Sequence, residues 1–228
     1  THSVVVGSVY RGAPAEDCPY LIGRLCEWLA GPDFQPPEGA TEGMAALFTI
    51  LKSMVAHLYL AWIHPFGDGN GRTARLLEFH LLLSAGVPSP AAHLLSNHYN
   101  QTRAEYYRQL DHASKSGGEV LPFLDYAVRG FVDGLREQLG VVWAQQWDVA
   151  WRDYVQECFQ DRNGPSDTRQ RHLVLDLSTG EEWVDVGKVP ELTARLAKAY
   201  ATTTPKTVQR DLNALQELGR IDRVGRRV

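Results

Sequence analysis

Apolar residues recur at helical spacing along most of this chain, and only one short stretch favours extended backbone. Leu47 to Ile63 is apolar with sparse polar residues and predicts a buried helix. Arg72 to Ser84 carries Ala74, Leu76, Leu77, Phe79, Leu81, Leu82 and Leu83 and predicts a second, ended near Gly86 with Pro88 just beyond. Pro14 to Leu29 repeats the pattern through Leu21, Ile22, Leu25, Cys26 and Leu29. Val141 to Phe159 holds Trp143, Trp147, Trp151, Tyr154 and Phe159 in a stripe, expected to be an interdomain core. Arg169 to Leu177 reads as a short helix, and Pro190 to Tyr200 sets Leu192, Leu196 and Ala199 on one face. Thr203-Thr204-Pro205 is a helix start, with Thr204 the cap and Pro205 at the first helical position. Val208, Leu212 and Leu215 follow at i, i+4 and i+7, Gly219 is a stop, and Ile221 to Val228 can begin a β wing. Ser3 to Val9 is the exception, since its consecutive valines favour a strand.

The segment between the first two helices carries the chemistry: His64-Pro65-Phe66-Gly67-Asp68-Gly69-Asn70-Gly71-Arg72-Thr73-Ala74-Arg75. Asp-Gly and Asn-Gly mark tight turns, so Asp68 to Gly71 reads as a loop that opens onto a helix N-terminus. Backbone N–H groups there are unpaired and favour anions, and glycine lets a phosphate approach closely. Arg72 and Arg75, three apart on the second helix, can reach phosphates with forked donors. Asp68, the loop's carboxylate, suits magnesium, which prefers one or two carboxylates plus phosphate oxygens and water. His64 at the end of the first helix is a candidate base, because an unperturbed imidazole titrates near neutrality. No Gly-Lys-Ser/Thr follows, so this is not a Walker-type phosphate loop.

The run resembles the HPFx(D/E)GNGRxxR motif of the Fic family at every defined position. The resemblance implies a mainly α fold, a Fic-type helical core with a small β-hairpin flap. Ser3 to Val9 looks like that flap, so Val6, Gly7, Ser8 and Val9 would border the nucleotide, and a target protein would pair along the hairpin by strand addition. Arg103-Ala104-Glu105-Tyr106-Tyr107-Arg108-Gln109-Leu110 is similar to the family's R..YY..L segment, which sets Tyr106 against the nucleotide base or packs both tyrosines in the bundle. Ser114 stands where the family often has Asn. By the same likeness ATP is the substrate and Asp68 holds Mg²⁺. Gly69, Asn70, Gly71, Arg72, Thr73, Ala74 and Arg75 bind the nucleotide, Asn70 near the α-phosphate and the arginines at the β- and γ-groups. His64 deprotonates a Ser, Thr or Tyr hydroxyl, Phe66 anchors the loop in the core, and Pro65 stops the helix. Many Fic proteins also carry an inhibitory (S/T)xxxE(G/N) helix. Ser178-Thr179-Gly180-Glu181-Glu182-Trp183 has the spacing but lacks the final Gly or Asn. Family members usually have helices ahead of the flap, so inhibition is expected in a preceding segment or a separate partner. With nothing to restrain it, Arg75 is free and the enzyme is expected to be constitutively active.

Charge divides the chain. The formal net charge is -4, which argues against nucleic-acid binding by the whole protein. From Lys188 onward, however, Lys and Arg outnumber Asp and Glu, and the remainder is acidic. The basic tail resembles a winged helix-turn-helix of the DeoR-type bacterial regulators. On that likeness Lys206, Gln209, Arg210 and Asn213 face a DNA major groove and Arg226 and Arg227 meet phosphates, or else the module serves packing and protein contacts. The expected organisation is a Fic core over 1–140, a helical connector over 141–168 that includes the turn Asn163-Gly164-Pro165-Ser166-Asp167, and a winged helix (α+β) over 169–228. Cys18, Cys26 and Cys158 show no pairing or metal spacing, which fits a reducing cytoplasm. No signal peptide is visible, and Leu47 to Ile63 is interrupted by Lys52, Ser53 and His57, so no membrane span is expected. An apolar fraction of 44% suits a sizeable core.

These features predict a protein adenylyltransferase that moves AMP from ATP to a hydroxyl of a target protein or of itself. Alternatives are a Fic core that uses another nucleotide or removes AMP, and a DNA-binding regulator whose Fic core senses or modifies itself. The intact second glycine and Arg75 argue against Doc-like kinases, which typically carry Lys at that glycine. A homodimer is left open.

Overall fold

A computed structural model describes residues 5–6, 10–180, 183–225 and 227–228. The chain is mainly helical and divides into two compact units, Thr1–Gly140 and Val141–Val228.

In the first unit, β1 (Val5–Val6) and β2 (Tyr10–Arg11) pair antiparallel, Val5 opposite Arg11 and Val6 opposite Tyr10. α1 (Cys18–Ala30), α2 (Glu42–Ile63) and α3 (Asn70–Ser84) follow. The short helices α4 (Ser89–Ala92) and α5 (Leu94–Gln101) then lead to α6 (Arg103–Lys115) and the first part of α7 (Leu121–Cys158). α2 is apolar on two sides because it is covered on two sides. Val55, Ala56, Leu60 and Ile63 pack with Leu25 and Leu29 of α1 and Ala74 of α3. Met54 and Leu58 pack with Leu82, Leu95, Tyr99, Tyr106, Phe123 and Phe131. Burying one such aliphatic side chain stabilises the fold by about 1.5–3 kcal/mol.

α2 begins earlier than the apolar run suggests, because Thr41 caps it by accepting from Met44 N at 3.3 Å. Its full 22 residues are long and apolar enough to cross a membrane by length and composition, which corrects the reading from the shorter run. Here it is the central helix of the unit, with His57 and Ser53 buried along it. α1 begins at Cys18 rather than Pro14, since residues 15–17 form a turn.

The second unit is built from the end of α7 with α8 (Pro165–Leu177), α9 (Ala194–Tyr200) and α10 (Pro205–Glu217). Its core joins Val155, Phe159, Leu173, Val174, Val189, Leu196, Tyr200, Val208, Leu212 and Leu215. The turn expected at 163–167 is shorter than the sequence suggests. Gly164 N donates to Asp167 Oδ2 at 3.1 Å, and α8 starts at Pro165. Thr204 does stand at the N-cap of α10 with Pro205 behind it, although its hydroxyl makes no capping bond. Leu192 lies outside α9 and is partly exposed. Over 221–228 the described residues form only isolated bridges, Asp185 with Arg227 and Val224 with Arg227. Glu181, Glu182 and Arg226 lie outside the described residues.

Within the tryptophan stripe, Trp151 and Phe159 pack in the core of the second unit, whereas Trp143 is 61% and Trp147 75% exposed. Aromatic periodicity reports a face of the helix, not what covers it.

The core of the second unit also holds a charge. Asp211 is fully buried on the inner face of α10 and accepts from Ser166 Oγ at 3.0 Å, Arg169 Nε at 2.9 Å and Tyr200 OH at 3.1 Å. Burial first, and the Asp211 charge second, push the Tyr200 hydroxyl well above the usual phenol range.

Candidate active site

The site is built where α2 stops. His64 caps α2 with φ 52 and ψ 54, and it is the one left-handed residue other than glycine among those described. Such a conformation costs about 1–2 kcal/mol, so the surroundings must hold it. They do so from β2 and the segment after it. Tyr10 OH donates to the Trp62 carbonyl, and Ala13 N donates to Ile63 O at 3.1 Å. Gly12 is buried so close that a Cβ there would lie 2.8 Å from His64 Cβ. The imidazole Nδ1 lies 3.2 Å from the Ala61 carbonyl, so Nδ1 carries the proton and Nε2 keeps its lone pair.

The loop after His64 closes on itself through Asn70. Its Oδ1 accepts from Phe66 N at 2.9 Å and its Nδ2 donates to Phe66 O at 2.6 Å, and the side chain is 3% exposed. The Asn70 side-chain amide is thus a staple for the loop. One sequence expectation is corrected: Phe66 is 44% exposed, so its backbone rather than its ring anchors the turn. The loop is also shorter than expected. Gly69, at φ 85, makes the left-handed turn alone, and Asn70 and Gly71 already belong to α3. The first helical bond is Thr73 N to Gly69 O at 2.9 Å. The N–H groups of Asn70, Gly71 and Arg72 therefore have no partner among the described residues.

Asp68 is highly exposed and lies 2.9 Å from Arg72 Nη2, while its other oxygen accepts from Gly69 N. A lone exposed carboxylate beside unpaired helix N–H groups would fit a magnesium ion that arrives with a nucleotide. It does not fit a cage made of protein alone, and no cluster of three or more His, Cys, Asp or Glu capable of holding a metal occurs among the described residues.

A cavity of about 910 Å³ joins these groups, a size typical of small-molecule sites. It is lined by His64, Gly67 to Arg72 and Arg75 on one side, and by Arg103, Tyr106, Tyr107, Leu110 and Asp111 of α6 on the other. Tyr10 and Trp62 complete it. Thr73 is turned back, its hydroxyl on the Gly69 carbonyl at 3.1 Å, and Ala74 is fully buried beneath the loop. Both lie outside the lining, and Ala74 packs beneath the loop. Val6 lies in β1, while Gly7, Ser8 and Val9 fall outside the described residues.

Residues 5–82 match the Fic/DOC family. The chain is also 34% identical over 114 residues to the protein adenylyltransferase Fic of Nematostella vectensis, a match that covers 50% of the chain and 22% of that protein. It is 37% identical over 125 residues to the protein adenylyltransferase Fic of Drosophila virilis, covering 55% and 22%. Against the protein adenylyltransferase fic-1 of Caenorhabditis elegans it is 33% identical over 101 residues, covering 44% and 18%. The chain thus spans about a fifth of the length of these relatives.

The Fic-matched segment contains β1 to most of α3 and so the whole loop from His64 to Arg75. The opposite wall of the cavity comes from α6, beyond that segment. Arg103, Tyr106, Tyr107 and Leu110 recur at i, i+3, i+4 and i+7, a spacing that could have marked them as one face in the sequence. Ser114 lies outside the lining and donates to the Asp111 carbonyl at 3.0 Å. No signal in the sequence pointed to Tyr10 or Gly12, because they meet the end of α2 only through the packing of β2 and the segment after it, and Trp62 read as one more apolar residue of that helix.

Proposed function

We propose that this chain transfers AMP from ATP to a hydroxyl side chain of a protein. The observation that carries this reading is the convergence, in one cavity, of a histidine lone pair with unpaired helix N–H groups and two arginines. The relatives named protein adenylyltransferases support it. In the reaction the hydroxyl oxygen attacks the α-phosphorus and its proton passes to His64 Nε2. The bond from the α-phosphorus to the bridging oxygen breaks, and pyrophosphate leaves with that electron pair. The N–H groups of Asn70, Gly71 and Arg72 face the phosphates, where charge builds up, and Arg75 neutralises the leaving group. Arg72, which pairs with Asp68 at 2.9 Å, would add its charge there. Asp68 would hold the Mg²⁺, which supplies neutralisation of phosphate charge. Tyr106, Tyr107 and Leu110 form the apolar wall for the base. The target would present its hydroxyl on an extended segment paired with the β1–β2 hairpin.

Label transfer with Mg²⁺ tests this. Label should reach protein from ATP labelled at the α-phosphate and not at the γ-phosphate. Transfer from the γ-position would make the protein a kinase. No transfer from either, with ATP binding demonstrated, would overturn AMP transfer and turn attention to another nucleotide or to AMP removal.

Gly12→Ala tests the packing behind His64. Because the new methyl group must push His64 aside, transfer is expected to fall about a hundredfold with ATP binding retained. Near-native transfer would show that His64 can shift without loss.

A second reading concerns α10. Lys206, Gln209, Arg210 and Asn213 are all exposed and share one face, opposite buried Val208, Leu212 and Leu215. Arg223 donates to Asn213 Oδ1 at 2.6 Å and adds charge to that face. This pattern favours a helix that enters a DNA major groove. Binding to duplex DNA should weaken steeply with salt and be reduced by Arg210→Ala. Binding that ignores both would leave the face to protein contacts.

A further inference from the structure

The core of the first unit contains a chain of buried polar groups that the reaction above does not use. His57 on α2 is fully buried, Glu78 on α3 is 1% exposed, and Tyr99 on α5 is 1% exposed. Tyr99 OH donates to Glu78 Oε1 at 3.0 Å. Glu78 Oε2 lies 3.3 Å from His57 Nδ1, off the line of a full hydrogen bond. His57 Nε2 lies 2.9 Å from the hydroxyl of Tyr106. A carboxylate beside Nδ1 favours the proton there, which leaves Nε2 to accept from Tyr106.

Burying a carboxylate and an imidazole costs several kcal/mol in desolvation, and apolar residues of the same volume would pack more cheaply. The cluster therefore calls for a purpose beyond filling space. Its one outlet among the described residues is Tyr106, which lines the nucleotide cavity. Burial pushes the Tyr106 hydroxyl well above the usual phenol range, so it stays protonated and able to donate. Arg75 is near enough for its charge to act on that hydroxyl, and it lies three residues before Glu78 on the same helix. The Tyr106 ring is set edge-on to His57, with ring centres 5.7 Å apart at 86°, and it packs against Tyr99 at 5.0 Å.

We propose that Glu78, through His57, is a positioning residue that holds Tyr106 by its hydroxyl and thereby sets the affinity of the cavity for nucleotide. Glu78 fixes the imidazole, the imidazole fixes the hydroxyl, and the hydroxyl fixes the ring as the wall on which the base rests. Helices α2 and α3, which carry the phosphate loop between them, are in this way tied to α6, which carries the opposite wall. The proposal rests on the nucleotide-site reading.

A double-mutant cycle on ATP binding in the presence of Mg²⁺ tests it. Glu78→Leu is expected to weaken ATP binding about tenfold, because the imidazole loses the carboxylate that favours its proton on Nδ1 and so its hold on the Tyr106 hydroxyl. In a Tyr106→Phe background, where there is no hydroxyl to hold, the same change should cost nothing further. Glu78→Gln, which can still accept from Nδ1, should recover most of the affinity. An equal loss from Glu78→Leu in both backgrounds would overturn the relay and leave Glu78 a general core residue. If Glu78→Leu does not fold, His57→Phe carries the same cycle, because it keeps a ring in place and removes Nε2. Nitrogen chemical shifts of His57 in the unaltered protein give a check that needs no variant. A proton on Nε2 alone would overturn the proposal. Wild-type protein that binds no ATP would overturn the nucleotide-site reading, and the relay with it, whereas ATP binding without coupling overturns the relay alone.

Discussion

His64→Ala is expected to reduce transfer from α-labelled ATP by about 10²–10⁴-fold, the range usual for a positioned general base. ATP should still bind within a few-fold of the wild type, since the N–H groups of α3 and Arg75 are untouched. The geometry explains the expected size. His64 Nδ1 is committed to the Ala61 carbonyl, which leaves Nε2 as the lone pair. The carboxylates on the cavity wall are both engaged, Asp68 by Arg72 at 2.9 Å and Asp111 by Lys115 at 2.7 Å. Neither stands in for the imidazole. Alanine inherits the same left-handed backbone, so the change removes the base without relieving the turn. Rates are best compared at saturating ATP, where a loss of binding cannot imitate a loss of chemistry. A variant that keeps a tenth or more of the transfer rate would remove His64 from the role of base.

Asp211→Ala is expected to destabilise the second unit by about 3–5 kcal/mol, the usual cost of removing one member of a buried ion pair. Four donors would lose their acceptor together: Ser166 Oγ, Arg169 Nε, Gln170 Nε2 and Tyr200 OH. Arg169 would then be left beside the core with an unpaired charge. Urea unfolding followed by tryptophan fluorescence should show it, because Trp143, Trp147, Trp151 and Trp183 all lie in that unit. Asp211→Asn, which can still accept from two of the donors, should lose less. A midpoint unchanged in Asp211→Ala would mean that water or rearranged side chains replace the carboxylate. Salt should rescue neither variant, since the group is shielded from solvent.

The two sites differ in how far the chain betrays them. The candidate catalytic run is contiguous, so its residue types and spacing were legible at once: a histidine, a turn, a helix start with free N–H groups and two arginines. Asp211 was not legible. It lies among Gln209, Arg210 and Asn213 and reads as one more solvated residue on a polar face. Its partners Ser166 and Arg169 come from α8, 45 and 42 residues earlier, and Tyr200 from the end of α9, 11 residues earlier. The helix periodicities were legible for a similar reason, because each is a local pattern, and Val208, Leu212 and Leu215 are buried as their spacing required. The same patterns misled where they were asked what covers a face. Trp143 and Trp147 are spaced for packing and stand in solvent.

Within the candidate site the division is finer still. Turn chemistry announces a left-handed glycine in the Asp68–Gly71 stretch, and the structure puts it at Gly69. Nothing local announces that His64 is left-handed too, because that backbone is enforced by Gly12, Ala13 and Tyr10 from the β2 segment. Asn70 has a second role that its type did not announce, since its side-chain amide reaches back to Phe66 and closes the loop. Tyr106 was visible as an aromatic at the right spacing, yet its hydroxyl is held by His57, a residue that had looked only like an interruption in an apolar helix. Sequence pattern thus specified which residues could do chemistry and which helices would form, since both depend on neighbours within a few positions. The direction of the His64 lone pair, the staple made by Asn70 and the buried chain from Glu78 to Tyr106 came from tertiary contact. Each depends on atoms brought within about 3 Å by packing, and no local pattern encodes that distance.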